Sequence, residues 1–430
     1  MLNHGRSKLL GNHGARHRRL YLLVFVISTV MFLLHGSSSA YAYSVLAHEA
    51  IIDSAWEKIR TLLLRRFPNA TPEELRTAHG YTYGGSLVQD LGCYPHGSRF
   101  FSDLTHHVRS GEFIQVLLRD AQDINEYAFA LGALAHYAAD DDGHRAVNRA
   151  VPLLYPKLAR KYGSVITYED DPVAHLKTEF GFAYRDFIGF EVAKPLLERA
   201  FQDTYSIPLN SVFGDLDEAM GSYRYTVHST IPKAVRVAWV LKKDERQKDT
   251  PGITRKKFLY NMSRASYRQR WGRNYQTPGT KVVAFIIRLV PKVGPLKALS
   301  LRMPTPQTEA MFRASFNAAL DQYQHLLDDE RVGRLDLRDR NFDTGAPTKA
   351  GAYFMADQAY ARLVDDLAKD HFQVISLEMK SDILAYYRDP GAPIVTKKDA
   401  KAWVRLNHEL DELKRAGPSE SVGSDTSAAK

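Results

Sequence analysis

The chain has 430 residues, of which 44% are hydrophobic and 25% charged, a balance that excludes a disordered or fibrous polypeptide and allows one large or two ordinary domains with a sizeable core. Its formal net charge is +9, but Arg6, Lys8, Arg16, Arg18 and Arg19 all precede the first acidic residue, so the chain beyond residue 42 is only mildly basic, at +4 (9 minus 5). Cys93 is the only cysteine, which excludes intrachain disulfides and cysteine-held zinc, so any metal must sit on His, Asp and Glu.

Those five basic residues are followed by an apolar run from Leu20 to Leu34 and by Ala40-Tyr41-Ala42, the three parts of a cleaved export signal. The run falls short of the ~20 residues of a bilayer span, so cleavage is expected near Ala42, giving a secreted or periplasmic protein that begins at Tyr43. Arg18-Arg19 also permits twin-arginine export.

Beyond the signal, Ile51, Ile52, Ala55, Ile59, Leu62 and Leu63 recur at helical spacing, with His48 on the same inward stripe. Thr71-Pro72-Glu73-Glu74 is a capping box with proline in the first turn, and it predicts a second helix that stops near Gly80. Residues 81 to 109 combine glycines, aromatics and Pro95 without a sustained period, which predicts a long structured loop carrying Asp90 and His106. From Glu126 to Asp140 the chain is apolar on nearly every face, as in a helix buried mid-domain, with His136 and Asp140 at its end. Asp171-Pro172 opens another helix that carries His175 and Glu179. Strand alternation and internal repeats are missing from the sequence, so the fold class is all-α.

Two ligands spaced i, i+4 on a helix project side by side toward one ion, and His136/Asp140, Asp140/His144 and His175/Glu179 each have that spacing. Such pairs also occur on plain helix surfaces, where they contribute about 0.2–0.5 kcal/mol. The setting separates the two cases. A carboxylate at Asp140, in an otherwise apolar helix, is costly unless a cation or a hydrogen-bond network neutralises it. Together with Asp90 and His106 these residues read as one polynuclear metal site, whereas His79, His96, His228 and His325 lack such a context.

Five segments carry a family resemblance: Leu46-Ala47-His48-Glu49-Ala50-Ile51, Gln89-Asp90, Phe101-Ser102-Asp103-Leu104-Thr105-His106, His136-Tyr137-Ala138-Ala139-Asp140 with His144, and His175-Leu176-Lys177-Thr178-Glu179. Over about residues 43 to 200 the chain resembles the zinc-dependent phospholipase C/D family, itself similar to the trinuclear-zinc single-strand nucleases. The resemblance implies a multi-helix bundle with a helical C-terminal extension, hydrolysis of phospholipid phosphodiesters, and up to three Zn2+ ions. It assigns one ion to Asp90, His106, His136 and Asp140, a second to the amine and carbonyl of Tyr43 with His48 and Asp140, and a third to His144, His175 and Glu179. Asp90 is also its candidate general base. Tyr43 stands where the best-known members have tryptophan, and His106 is preferred to His107 because it is the histidine that follows Leu104-Thr105 in the matching motif. The His136-Asp140-His144 interval is shorter than in secreted bacterial phospholipases C and matches the branch of the glycosylphosphatidylinositol-specific phospholipase D, which leaves the bond cut open. A zinc nuclease and a non-enzymatic, metal-stabilised envelope protein are the alternatives.

Between Asp249 and Glu309 the chain has no acidic residue, while basic residues from Arg255 to Arg302 alternate with Tyr260, Tyr267, Trp271 and Tyr275. That composition suits a phospholipid membrane surface, or a single-stranded nucleic acid under the nuclease reading. A solvated basic face with Phe285, Ile286 and Leu289 in the core is the plainer alternative. Residues 348 to 369 and 396 to 414 again read as helices. The expected organisation is a signal over 1–42, a catalytic domain over 43–240, a basic helical region over 241–415 and a polar tail over 416–430.

Overall fold

The computed structural model describes residues 45–179, 190–226, 285 and 305–417. The expected signal, Tyr43, the boundary near residue 240 and all of the basic stretch 255–302 except Phe285, which is exposed, lie outside these residues. The fold is all-α, as the sequence predicts, and one short ladder interrupts it.

Helix α1 (Val45–Arg66) buries the predicted stripe from Ile51 to Leu63. Helix α2 (Pro72–Gly85) begins at the predicted capping box, in which the Thr71 hydroxyl accepts from Glu74 N and the Glu74 carboxylate accepts from Thr71 N. It does not stop at Gly80. Its last turn lies backbone to backbone on the central helix, where a Cβ on Gly85 would stand 1.8 Å from Phe129 O and one on Gly132 would stand 2.1 Å from Thr82 O. Gly85 and Gly132 are therefore contact residues that let two helices approach closely, whereas a Cβ on Gly80, the expected stop, would meet only Glu191 Cγ at 3.7 Å.

The predicted loop over 81–109 is likewise helical. Asp90 sits in a short 3-10 turn over Val88–Cys93, and His106 ends helix α3 (Arg99–His107), whose first turn is capped by Ser98 accepting from Phe101 N. Phe100, Phe101, Leu104, Thr105, His106 and His107 are all buried. Arg99 and Asp103 form a polar edge opposite Phe100, Phe101 and Leu104, but over nine residues next to a Gly- and Pro-containing turn the helical period is too short to stand out.

Helix α4 (Ser110–Asp120) leads to the spine of the fold, α5 (Ile124–Leu154), a helix of 31 residues capped by Asp123. The sequence reading ended this helix at Asp140, but it runs on because each residue of the acidic run has a partner or a place. Asp140 faces the interior, Asp141 meets Arg340 Nη1 at 2.9 Å and Asp142 meets Arg145 Nη2 at 2.9 Å. Helices α6 (Pro156–Tyr162), α7 (Pro172–Glu179), α8 (Lys194–Tyr205) and α9 (Leu216–Tyr225) complete the first part, and α7 is the helix predicted at Asp171-Pro172.

Helix α10 (Pro306–Arg331) lies along α5, where Tyr323 Oη donates to Leu131 O at 2.9 Å. A two-residue ladder pairs β1 (Arg340–Asn341) antiparallel to β2 (Ala346–Pro347), in the register Arg340 to Pro347 and Asn341 to Ala346. Helices α11 (Phe354–Ala368), α12 (Leu377–Tyr386) and α13 (Ala400–Arg415) follow; α11 and α13 lie in or near the stretches predicted as helical, and α12 lies between them. Phe316, Leu320, Leu363 and Leu410 belong to the same hydrophobic cluster as Ile51, Phe129, Leu134 and Tyr223. The described C-terminal helices thus share the core of the N-terminal ones. No helix among the described residues is long and apolar enough to cross a membrane.

The close approach of α2 and α5 generates a test. Gly132→Ala should destabilise the protein by about 1–3 kcal/mol or more, as overpacking does, whereas Gly221→Ala, with open space around it on α9, should be neutral or stabilising by up to about 1 kcal/mol. Denaturant unfolding measures both, and equal stability of the two variants would contradict the packing argument.

Candidate metal centre

Four elements converge on one buried spot. His136, Asp140 and His144 occupy successive turns of one face of α5, while α1 brings His48, the 3-10 turn brings Asp90, and the end of α3 brings His106. All six are 3% exposed or less. Asp140 is the hub: its Oδ1 is 3.6 Å from His48 Nε2, and its Oδ2 is 2.9 Å from His136 Nε2 and 3.5 Å from both His106 Nε2 and His144 Nε2. Asp90 Oδ1 is 3.5 Å from His106 Nε2. His107 Nε2 faces a different carboxylate, Asp343, at 3.8 Å.

These spacings are informative. A nitrogen–oxygen hydrogen bond spans about 2.7–3.2 Å, whereas two donors bonded at about 2.0–2.1 Å to one tetrahedral ion stand about 3.3 Å apart. Except for the His136 pair, the contacts around Asp140 have the second spacing, and the carboxylate oxygens of Asp90 and Asp140 and the Nε2 atoms of His106, His136 and His144 are buried without a hydrogen bond. Two groups have donors all within 4.8 Å of one another, His48 with His136 and Asp140, and Asp90 with His106 and His136. The residues fit a cation.

Outer contacts hold the rings in the tautomer that metal binding requires. His136 Nδ1 donates to Ser86 O at 2.9 Å and His106 Nδ1 to Ser102 O at 2.8 Å, so in the neutral ring each directs an Nε2 lone pair inward. Burial opposes charge on both imidazoles, but in the absence of a cation Asp140 and Asp90 outweigh it and raise them. Burial, reinforced by the neighbouring imidazole of His136, lowers His48 to about 3, which leaves a neutral ring able to donate its lone pair. Burial likewise lowers His175 to about 3 and His107 to about 4. Burial opposes ionisation of Asp140 too, but the imidazoles of His136, His106 and His144 outweigh it and hold the carboxyl well below its usual range. Burial dominates at Asp90 and pushes its carboxyl up.

The remaining predicted residues are placed differently. His175 stacks beside His144 with ring centres 5.7 Å apart, and its Nε2 meets Asn148 Oδ1 at 2.7 Å. Glu179 closes α7, but its side chain lies outside the described residues, as does Tyr43. Sequence reasoning missed Asp343, which is fully buried in the turn between β1 and β2 and has Oδ1 3.4 Å from His144 Nε2. The one available signal was the apolar Phe342 within an otherwise polar stretch.

Residues 47–215 match the family model for zinc dependent phospholipase C. Over these residues the chain is similar to that family. Comparisons with curated proteins and with solved structures gave no match. Within the matched residues lie His48, Asp90, His106, His136, Asp140, His144, His175 and Glu179, whereas Asp343 comes from beyond them.

Buried donors that face one another without hydrogen bonds should be relieved by a divalent cation. Zinc at 100 times its dissociation constant should stabilise the folded protein by about 2.7 kcal/mol, raising the unfolding temperature, and a chelator should reverse the gain. An unfolding temperature indifferent to both zinc and chelator would contradict the reading of the cluster as a metal centre.

Proposed function

We propose that the protein is an exported phospholipase that hydrolyses phospholipid phosphodiester bonds with up to three Zn2+ ions held by the centre around Asp140. The observation that carries this reading is a set of buried imidazole and carboxylate donors, spaced for tetrahedral ions, within the residues similar to zinc-dependent phospholipase C. Asp90, His106, His136 and Asp140 would hold one ion, and His48 and Asp140 a second with the amine and carbonyl of Tyr43. His144, His175 and Glu179 would serve the third. Cleavage after Ala42 would expose that amine just ahead of α1, which opens at Val45.

Zinc, when bound, supplies electrophilic stabilisation to phosphoryl oxygens and makes water acidic near neutral pH. Asp90 is buried beside His106; burial alone favours the protonated carboxyl, but a cation held next to it would favour the carboxylate, the form in which it can act as a base. It would take the proton of the attacking water on a carboxylate oxygen and hold the water in line with the phosphorus. Asp140 remains ionised and keeps the imidazoles around it oriented. The basic, aromatic-rich stretch from Arg255 to Arg302 supports a phospholipid surface as the partner.

Asp140→Asn tests the assignment. The variant should lose zinc and lower turnover of a diacyl phospholipid by more than about 100-fold, the upper end for removal of outer partners alone. Asp142→Asn, which affects only a partly exposed pair with Arg145, should leave both unchanged. Full zinc content and normal turnover in Asp140→Asn would contradict the assignment, and parent enzyme that cleaves single-stranded DNA but no phospholipid would replace the phospholipase with a nuclease.

A further inference from the structure

Outside the matched domain, one carboxylate is built into the centre. Asp343 is fully buried, where an ionised side chain is costly unless it is compensated. Its two oxygens are treated differently. Oδ2 accepts a hydrogen bond from Tyr353 Oη and lies 3.8 Å from His107 Nε2, while Oδ1 is buried without a hydrogen bond, 3.4 Å from His144 Nε2. That is again the spacing of two donors on one tetrahedral ion and not of a hydrogen bond. A carboxylate with one oxygen tied by a hydroxyl and the other bare beside an imidazole is arranged as a supported metal ligand is.

The backbone around Asp343 is pinned to the helices that carry the other donors. Phe342 N donates to His106 O at 3.0 Å, and Asn148 Nδ2 donates to Asp343 O at 2.9 Å. The same Asn148 meets His175 through its Oδ1. Arg340 ties the ladder to α5 through Asp141, and Ser110 Oγ donates to Arg340 O at 2.7 Å. A mere charge partner for His144 would close to hydrogen-bond distance, and the bare Oδ1 would otherwise cost about 1–3 kcal/mol as an unsatisfied buried acceptor.

We propose that Asp343 Oδ1 is a metal ligand paired with His144 Nε2, so that the segment following α10 completes a centre which residues 47–215 do not complete alone. The inference rests on the reading of the cluster as a zinc centre and extends it to a residue outside that domain. Its corollary is that Tyr353 is a positioning residue, acting through Asp343.

The test uses the full mature protein and zinc itself. Zinc per chain is measured by elemental analysis after dialysis, and affinity by competition with a chromophoric chelator, for the parent, Asp343→Asn, Tyr353→Phe and Asp336→Asn. Asp343→Asn should carry less zinc than the parent. Tyr353→Phe should keep the full complement under saturating zinc but bind the weakest ion about 10–100-fold less tightly, as loss of an outer partner does. Asp336→Asn, exposed on the same segment, should match the parent. A folded Asp343→Asn protein with the parent's zinc content and affinity would overturn the proposal, and should that variant fail to fold, unchanged affinity in Tyr353→Phe would overturn it. A parent that holds no zinc would overturn the zinc reading itself, an outcome distinct from equal zinc in parent and variants.

Discussion

The structure turns on the burial of one carboxylate. Asp140 stands in the middle of an apolar helix with four imidazoles within 3.6 Å of its oxygens, and the desolvation penalty for such a group is several kcal/mol even after relaxation. Buried imidazole and carboxylate groups able to hold a metal surround it, and a cation would compensate that penalty. The surrounding protein meets the conditions for one: imidazoles kept neutral by burial or fixed in tautomer by backbone carbonyls, and carboxylates placed without competing donors.

Placing so many polar groups inside demands a rigid frame, and the frame is built around α5. Its N-terminal half is apolar and packs backbone to backbone on α2 through Gly85 and Gly132, which brings Ser86 O within reach of His136 Nδ1. Its middle carries His136, Asp140 and His144 on one face, and α10 lies along it, with Tyr323 Oη donating to Leu131 O. The α3 helix is fixed by its buried phenylalanines, so His106 and His107 arrive together but serve different carboxylates. The C-terminal segment shares this core, and its ladder is tied to α5 by the pair between Arg340 and Asp141.

Much of this could be read in the residues. The capping box at Thr71, the buried character of α5 and the i, i+4 pairs on α5 and α7 are local features, and local physics determines them. Features whose cause lies elsewhere in the chain were not legible. The acidic run at Asp140-Asp141-Asp142 reads as a helix end until Arg340, from a distant segment, is seen to neutralise Asp141. The glycines beyond Tyr81 read as part of a loop until Gly85 is seen packed on Phe129 O, where a Cβ would not fit. Asp343 has no spacing relation to His144 at all. Only the tertiary contacts with Asn148, His106 and Tyr353 bring it there.

The account depends most on the claim that Asp140 is a shared metal ligand. The most direct measurement is an anomalous difference map, recorded at the zinc edge, from crystals of the mature protein. The account predicts two anomalous peaks, each about 2.0–2.2 Å from an Asp140 oxygen, with His136 or His106 on one and His48 on the other. Zinc-containing crystals with no peak within bonding distance of Asp140, its carboxylate held only by hydrogen bonds from the imidazoles, would contradict it.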